Sequence, residues 1–475
     1  MSQGSTLLVC FDGLRRDRAT AERMPNLARF MAGGVDMINS RSVFPSETRV
    51  ASTSTVTGCA PGEHGLVANQ FINPAVLADG LFNTAKRDNL LRADALGVLV
   101  DRESLGQRLA RAGRRFAVVS TATPGATFMM SYGAGSLGQP VFSVHAGVGT
   151  PEVMRQAEER FGAIPEGATP NTARIDYATR VLTDLVYPTH GPDLAVFWMS
   201  DPDITSHRFG IDGPETVTAQ RGCDDAFGRI LDWWQAGDGP ENIMVMSDHG
   251  QITGAGRVDL KAALPDHADY LAPGYFSGLY LPKPSRETIA KNVGELAAEP
   301  WCGLVFVNLP GEPHATVPGA IAASAMGGGH PRSAPVSFTL RASAGLIPGS
   351  AETCLFVGGI EPGGGMHGGL TRGELSTVLA AAGPAFRRDE QSATPCWLPD
   401  VAPTLLTVLG LATEGTGGRI LSEVLADRDG EPACVERRTL TASVGSHEQT
   451  VEQWLVDGRA ITDFGWSQGP GDLMQ

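Results

Sequence analysis

Short, uninterrupted apolar runs recur along the chain, and three of them end directly in acidic or acidic-histidine exits. Leu7–Phe11 runs into Asp12-Gly13, Leu194–Met199 into Ser200-Asp201-Pro202-Asp203, and Ile243–Met246 into Ser247-Asp248-His249-Gly250. A fourth run, Phe116–Ser120, follows a helix-like stretch, Ser104–Ala112, that stops at Gly113. Continuous apolar runs of this length predict strands buried on both faces. Their alternation with helical stretches predicts an α/β fold, a mostly parallel central sheet with helices on both faces. Ligand sites in such sheets lie beyond the carboxyl ends of the strands, which is where the Asp and Asp-His exits fall.

Two stretches break this rhythm. Residues from about 70 to 100 are mixed and loop-rich. Residues 252–362 are rich in Gly and Pro and carry strand-like runs of their own, Phe276–Leu281 and Leu304–Val307. The expected organisation is a catalytic core over 1–251 and 363–430, an inserted cap over 252–362, and a polar, Gly-rich C-terminal extension over 431–475 packed on the core, with one amphipathic stretch at Val451–Val456. The clusters Gly327-Gly328-Gly329 and Gly363-Gly364-Gly365 predict tight loops. Neither has the strand–GxGxxG–helix context of a dinucleotide site.

With 475 residues, 42% apolar and 19% charged, the chain can bury a large core. It has no run long enough to span a membrane. Seven cysteines, Cys10, Cys59, Cys223, Cys302, Cys354, Cys396 and Cys434, are scattered singly with no CxxC pair. That argues against a disulfide framework and against a cysteine zinc site. The start, Met1–Phe11, has no charged n-region and no cleavage site, so a cytoplasmic location is expected. The formal net charge of −15, without a basic stripe, excludes a grip on nucleic-acid polymers. A small anionic substrate fits if metal cations reverse the local field.

The acidic and histidine exits supply candidate ligands. Asp203 and His207 are spaced i, i+4, so on a helical turn they share one face and can share one cation. Asp201 is the rival at i, i+6, which does not fit His207. Asp12 and Asp248-His249 stand at strand ends, and His367 lies in Gly365-Met366-His367-Gly368-Gly369, where glycine permits close backbone approach. Carboxylate and imidazole donors suit zinc, with manganese or iron as alternatives.

The segment Phe44-Pro45-Ser46-Glu47-Thr48, continuing through Val56-Thr57-Gly58, Pro61, His64-Gly65 and Asn69, resembles the nucleophile region of the nucleotide pyrophosphatase/phosphodiesterase branch of the alkaline phosphatase superfamily. Pro25-Asn26-Leu27, Asp248-His249-Gly250, His367-Gly368-Gly369 and Asp400–Thr404 fall in the order of that superfamily's landmarks, from residue 6 to about 425. The resemblance implies that Asp203, His207 and His367 bind one divalent ion. It implies that Asp12, Asp248 and His249, together with Thr48, bind a second. It also implies that Thr48 is the nucleophile and that Asn69, with the Thr48 amide, holds a phosphoryl oxygen. A threonine hydroxyl is a weak nucleophile until a dication lowers its pKa, so these parts belong together. The implied activity is hydrolysis of a small phosphodiester or nucleotide pyrophosphate through a phosphothreonine.

Arg49 departs from the branch pattern. It is read as a contact to an anionic substrate, against a plain salt bridge to Glu47. Cys59-Ala60-Pro61 superficially looks like a sulfatase signature, but it lacks the arginine, and the position that nucleophile would take is Thr48. A phosphonoacetate-type or other phosphonate or phosphomonoester hydrolase is the alternative. It would need Lys86-Arg87 as a carboxylate clamp. A catalytically silent metal- or phosphate-binding protein is the rival of another class, though it would have no use for a nucleophile. His64 is expected to be structural.

Overall fold

The computed structural model describes residues 4–77, 80–343, 353–357, 359–427 and 433–469. The expected boundary at 430/431, the side chain of Cys354 and the last residues of the C-terminal extension lie outside the described residues.

The apolar runs form the middle of one eight-stranded sheet. Its strands are β1 (Thr6–Phe11), β2 (Val35–Met37), β3 (Phe116–Ser120), β4 (Val141–Ser143), β5 (Leu194–Met199), β6 (Asn242–Met246), β7 (Leu379–Ala382) and β8 (Glu390–Ser392), in the order β8-β2-β7-β6-β1-β5-β3-β4. Every neighbouring pair is parallel except those that β7 makes with β6 and β2. The register Phe11↔Met199 and Cys10↔Met246 brings the ends of β1, β5 and β6 level, so the acidic exits of these strands meet at one edge.

Both faces of β1 are buried, as its unbroken apolar run requires. Leu8 and Cys10 pack with Val50, Leu105, Leu109 and Leu405 on one side. Leu7, Val9 and Phe11 pack with Leu27, Ile175, Phe227 and Ile230 on the other. Each fully buried Leu, Val or Phe contributes about 1.5–3 kcal/mol, so strand ends set in this sheet are held rigidly. The helix-like stretch before β3 is a helix, Leu105–Arg111, whose N-cap Ser104 accepts from Gln107 N.

Within 252–362, five strands between Leu271 and Leu340 form a separate sheet, backed by the helix Arg286–Ala297. It docks through the glycine turn at 327–329, where Gly62 N donates to Gly327 O at 2.7 Å. Residues 435–468 form an antiparallel meander of three ten-residue strands, Val435–Val444, His447–Val456 and Arg459–Gln468. This unit contacts the insert as well as the core. Gln449 exchanges two hydrogen bonds with the backbone of Val305, both at 2.7 Å. Buried Asp463 accepts from Arg41 of the core at 2.7 Å. Among the described residues, no helix is long and apolar enough to cross a membrane.

Candidate active site: two carboxylate–histidine clusters around Thr48

The edge where β1, β5 and β6 end gathers all six candidate ligands. Asp12 follows β1 directly, and Asp248-His249 follow β6 after one residue. Past β5 the chain turns into a short helix, Asp203–Phe209, which carries Asp203 and His207 on one face. His367 arrives on the loop after Gly365–Met366. The six form two groups whose donor atoms lie within 4.8 Å of one another: Asp12, Asp248 and His249, and Asp203, His207 and His367.

In the first group His249 Nε2 lies 3.2 Å from Asp248 Oδ2 and 3.7 Å from Asp12 Oδ1. In the second, His207 Nε2 lies 3.3 Å and His367 Nε2 3.6 Å from Asp203 Oδ1. The rings of His249 and His367 stack at 3.8 Å between centroids and join the groups.

Hydrogen bonds hold the far side of Asp12, Asp248 and each histidine and turn the other donor atom to the clusters, whereas Asp203 Oδ1 itself accepts from Gln251. Each histidine has Nδ1 against a backbone carbonyl: His207 on Gly365 O at 2.7 Å, His367 on Ser46 O at 2.7 Å and His249 on Gly250 O at 3.0 Å. A carbonyl accepts, so Nδ1 carries the proton and the Nε2 lone pair faces the cluster, as in histidines that bind metals. The carboxylates follow the same logic. Asp12 Oδ2 accepts from the Trp198 indole at 2.9 Å and Asp248 Oδ1 from Gly13 N at 3.0 Å. Their other oxygens, Asp12 Oδ1 and Asp248 Oδ2, are buried without any partner. Two orphaned carboxylate oxygens beside an imidazole lone pair fit a divalent cation, and nothing else in the surroundings satisfies them.

The electrostatics agree. Burial, and then the neighbouring carboxylates, push the Asp12 acid well above its ordinary value, and burial raises Asp248. For Asp203, burial raises the acid, but His207, His367 and His249 together bring it below the ordinary range. His367 is lowered first by burial and then by His249. Acids crowded in a dry pocket favour their charged forms only when a cation shares the site.

Thr48 adjoins the first group. It opens the helix Thr48–Thr57, and its Oγ1 lies 3.1 Å from His249 Nε2. The first intrahelical bond runs from Ala51 N to Glu47 O at 2.8 Å, so the first-turn amides have no partner inside the helix and suit an anionic oxygen. Asn69 is half-buried next to this helix. Its backbone N donates to Glu47 Oε2 at 2.5 Å, and its side-chain Oδ1 is buried without a partner.

Arg49 makes no salt bridge to Glu47 in the structure. Its Nε donates to Thr84 Oγ1 at 2.8 Å, and burial lowers its pKa against the attraction of Glu47, Asp12 and Asp203. Asp201 is spent on structure, accepting from Asn171 N, Thr205 N and Thr205 Oγ1. His64 is buried between Ser54 Oγ and Leu66 N. Cys59 is buried with its thiol on Gly415 O. Lys86 is exposed and Arg87 half-buried.

Sequence reasoning missed the residues that hold the ligands. Trp198 fixes Asp12, Gln251 donates to Asp203, and Ser42 Oγ donates to Asp248 O at 2.5 Å. Ser46 ties the Thr48 segment to the His367 loop through Gly368 N at 3.0 Å and Gly369 O at 2.9 Å. Only Ser46, inside the Phe44–Thr48 motif, carried a signal.

Comparison with known proteins gives one picture. Residues 6–314 match the family model of type I phosphodiesterase / nucleotide pyrophosphatase. That span holds Thr48, Asn69 and every ligand except His367. A human bis(5'-adenosyl)-triphosphatase ENPP4 is 24% identical over 255 residues, 51% of this chain and 47% of the relative. Human ectonucleotide pyrophosphatase/phosphodiesterase family member 7 is 26% identical over 255 residues, 53% of this chain and 49% of the relative. The chain thus matches about half the length of these curated relatives. A solved structure of murine ectonucleotide pyrophosphatase/phosphodiesterase 5, an inactive threonine-to-alanine variant in complex with AMP, superposes with a TM-score of 0.62 at 18% identity. It covers 89% of this chain and 100% of that one. The shared α/β architecture is the one expected from the apolar runs.

Proposed function

Since the chain belongs to the type I phosphodiesterase / nucleotide pyrophosphatase family, we propose that it is a phosphoric ester hydrolase. It cleaves a small phosphodiester or nucleotide-like pyrophosphate through a phosphothreonine on Thr48. Asp203, His207 and His367 hold one divalent ion. Asp12, Asp248, His249 and the Thr48 oxygen hold the other. Mixed imidazole and carboxylate donors favour zinc. The observation that carries this reading is the position of Thr48 Oγ1, 3.1 Å from His249 Nε2 at the start of a helix.

Bound divalent cations supply ionisation of the threonine hydroxyl and neutralise charge on the phosphoryl and leaving oxygens. The chain's own residues do the rest. Thr48 Oγ attacks phosphorus, the bond to the leaving oxygen breaks, and that oxygen takes a proton from water. The Thr48 amide and the Asn69 side-chain amide donate to a non-bridging oxygen, where preorganised donors matter most. Water then attacks the phosphothreonine and frees Thr48. Arg49 has its Nε on Thr84, and its terminal nitrogens serve an anionic substrate group.

The murine relative supports the nucleotide substrate by its AMP complex, and the threonine by its inactive variant. The six cysteines with described side chains are free thiols. The name of the human family member 7 marks that relative as an ectoenzyme.

The test is Thr48→Ala, assayed on bis(p-nitrophenyl) phosphate, p-nitrophenyl phosphate, a phenylphosphonate monoester and phosphonoacetate with Zn²⁺ or Mn²⁺. The variant should keep its metal and lose most turnover, with the diester the best wild-type substrate. A near-wild-type rate sinks the nucleophile. A preference for phosphonoacetate sinks the diester.

A further inference from the structure

The residues on either side of the nucleophile both reach the same hairpin, and they close a ring around Asn69. Strands Gln70–Ile72 and Leu81–Asn83 pair antiparallel, with Gln70 opposite Asn83. Asn69 and Thr84 therefore face each other at the base of this hairpin. On one side, Glu47 Oε2 accepts the Asn69 backbone N–H at 2.5 Å. On the other, Asn69 O accepts from Thr84 N at 3.0 Å and from Thr84 Oγ1 at 2.8 Å, and Thr84 Oγ1 in turn accepts from Arg49 Nε at 2.8 Å.

The backbone explains why two adjacent side chains can do this. Glu47 is the N-cap, with extended φ −118 and ψ 137, and Thr48 begins the helix. At such a junction the side chains of residues 47 and 49 leave in different directions, and the side chain between them is presented to the cluster.

The Asn69 N–H is thereby tied directly to Glu47, and the Asn69 carbonyl is tied to Arg49 only through Thr84. Glu47 is buried, and so is Thr84. A buried, charge-capable acceptor on a backbone amide is a strong and directional bond. Glu47 also lies against the loop of His367, since a side chain added at Gly368 would meet the Glu47 Cγ at 3.5 Å.

From this geometry we infer that Glu47 is a positioning residue that sets Asn69 against Thr48. The nucleophile and the donor for the non-bridging phosphoryl oxygen are then one rigid unit, although 21 positions separate them in sequence. Arg49 secures the same unit through Thr84. The inference rests on the hydrolase reading above and adds a residue to it. Glu47 touches no reacting atom. It acts only through the placement of Asn69.

A double-mutant cycle on bis(p-nitrophenyl) phosphate tests this, using the full chain with its metal content measured. Glu47→Ala should lower kcat by about 10²-fold, the cost of misplacing a positioned group by an ångström, while KM moves little and metal is retained. Glu47→Gln should restore most of the rate, because its amide oxygen accepts the same N–H. In an Asn69→Ala background, Glu47→Ala should cost less than about 3-fold, since neighbouring residues that act through one group are not additive.

An equal loss in both backgrounds overturns the inference, as does Glu47→Gln no better than Glu47→Ala with metal in place. Should Glu47→Ala fail to fold, Glu47→Met replaces it in the same cycle. It keeps the side-chain bulk and removes the acceptor for the Asn69 N–H. Its loss must likewise vanish without Asn69, or the inference falls. Failure of the hydrolase reading looks different: Thr48→Ala would then stay active whatever Glu47 does.

Discussion

The two candidate ligand clusters are made of the same residue types, but only the second has a partly exposed member, His207. Asp12, Asp248 and His249 lie just past the ends of two central strands, and the side chains of Asp248 and His249 are 0% exposed. Asp203, His207 and His367 sit on a short helix and a loop, and the His207 side chain is 30% exposed. The charge balance differs as well, with two acids and one imidazole in the first and one acid and two imidazoles in the second. The sealed cluster carries the excess negative charge and adjoins Thr48. The open one faces the solvent from which substrate and water arrive. On the proposed mechanism, the difference assigns activation of Thr48 to the sealed cluster and exchange of an oxygen ligand to the other.

The largest expected effect breaks this asymmetry directly. Asp248→Asn should cost more turnover than His207→Ala. It should exceed the ~10–100-fold that follows loss of an outer partner of a metal ligand, and excess zinc should not restore it. His207→Ala should recover part of its rate with added zinc. Graded chelation gives an independent readout. The wild type should release one ion early and one late, His207→Ala should lack the early phase, and Asp248→Asn the late one. Identical release curves for the two variants would remove the distinction.

The same contrast explains what could be read from sequence. Asp12 and Asp248-His249 were legible because an apolar strand that stops on an acid is a local pattern, and Asp203 and His207 because i, i+4 is local too. The partners that orient them were not. Trp198 reaches Asp12 across 186 positions, and Gln251 reaches Asp203 across 48. Such contacts exist only once the sheet has assembled. Trp198 itself looked like one more apolar residue of a buried strand.

The C-terminal meander was illegible for another reason. The strand Val435–Val444 is largely exposed along its length, and Thr462 and Asp463 are buried polar residues in the last strand. The apolar alternation that announces a strand is therefore missing, and pairing with His447–Val456 defines it instead.

A smaller effect sharpens the comparison from the sealed side. Trp198→Phe keeps a smaller aromatic ring at this buried position and removes the indole donor on Asp12 Oδ2. Metal affinity of the sealed site should fall by about 10–100-fold, read as a shift of the late chelation phase alone. A shift of the early phase would mean that the two sites are not held independently.

The smallest effect uses a sealed histidine whose ring nitrogens meet a hydroxyl and a backbone amide and no carboxylate. His64 Nδ1 accepts from Leu66 N at 3.1 Å, so Nε2 carries the proton and donates to Ser54 Oγ at 2.8 Å. Burial, reinforced by Arg332, lowers its pKa to about 3, whereas the Asp203 carboxylate raises His207 despite burial. In the unfolded chain His64 titrates near its ordinary value of about 6.5. Between about 6.5 and 3 the unfolded state therefore binds a proton that the folded state refuses. Stability is present above 6.5 and is lost as pH falls, at about 1.4 kcal/mol per pH unit. Urea unfolding of wild type and His64→Gln at pH 7.5 and 5.5 isolates this contribution. The wild type should lose roughly 1.4 kcal/mol more than the variant over that interval. An unchanged difference between the two proteins would show that burial alone does not keep a histidine neutral here, and that the contrast between sealed and open imidazoles rests on the carboxylates instead.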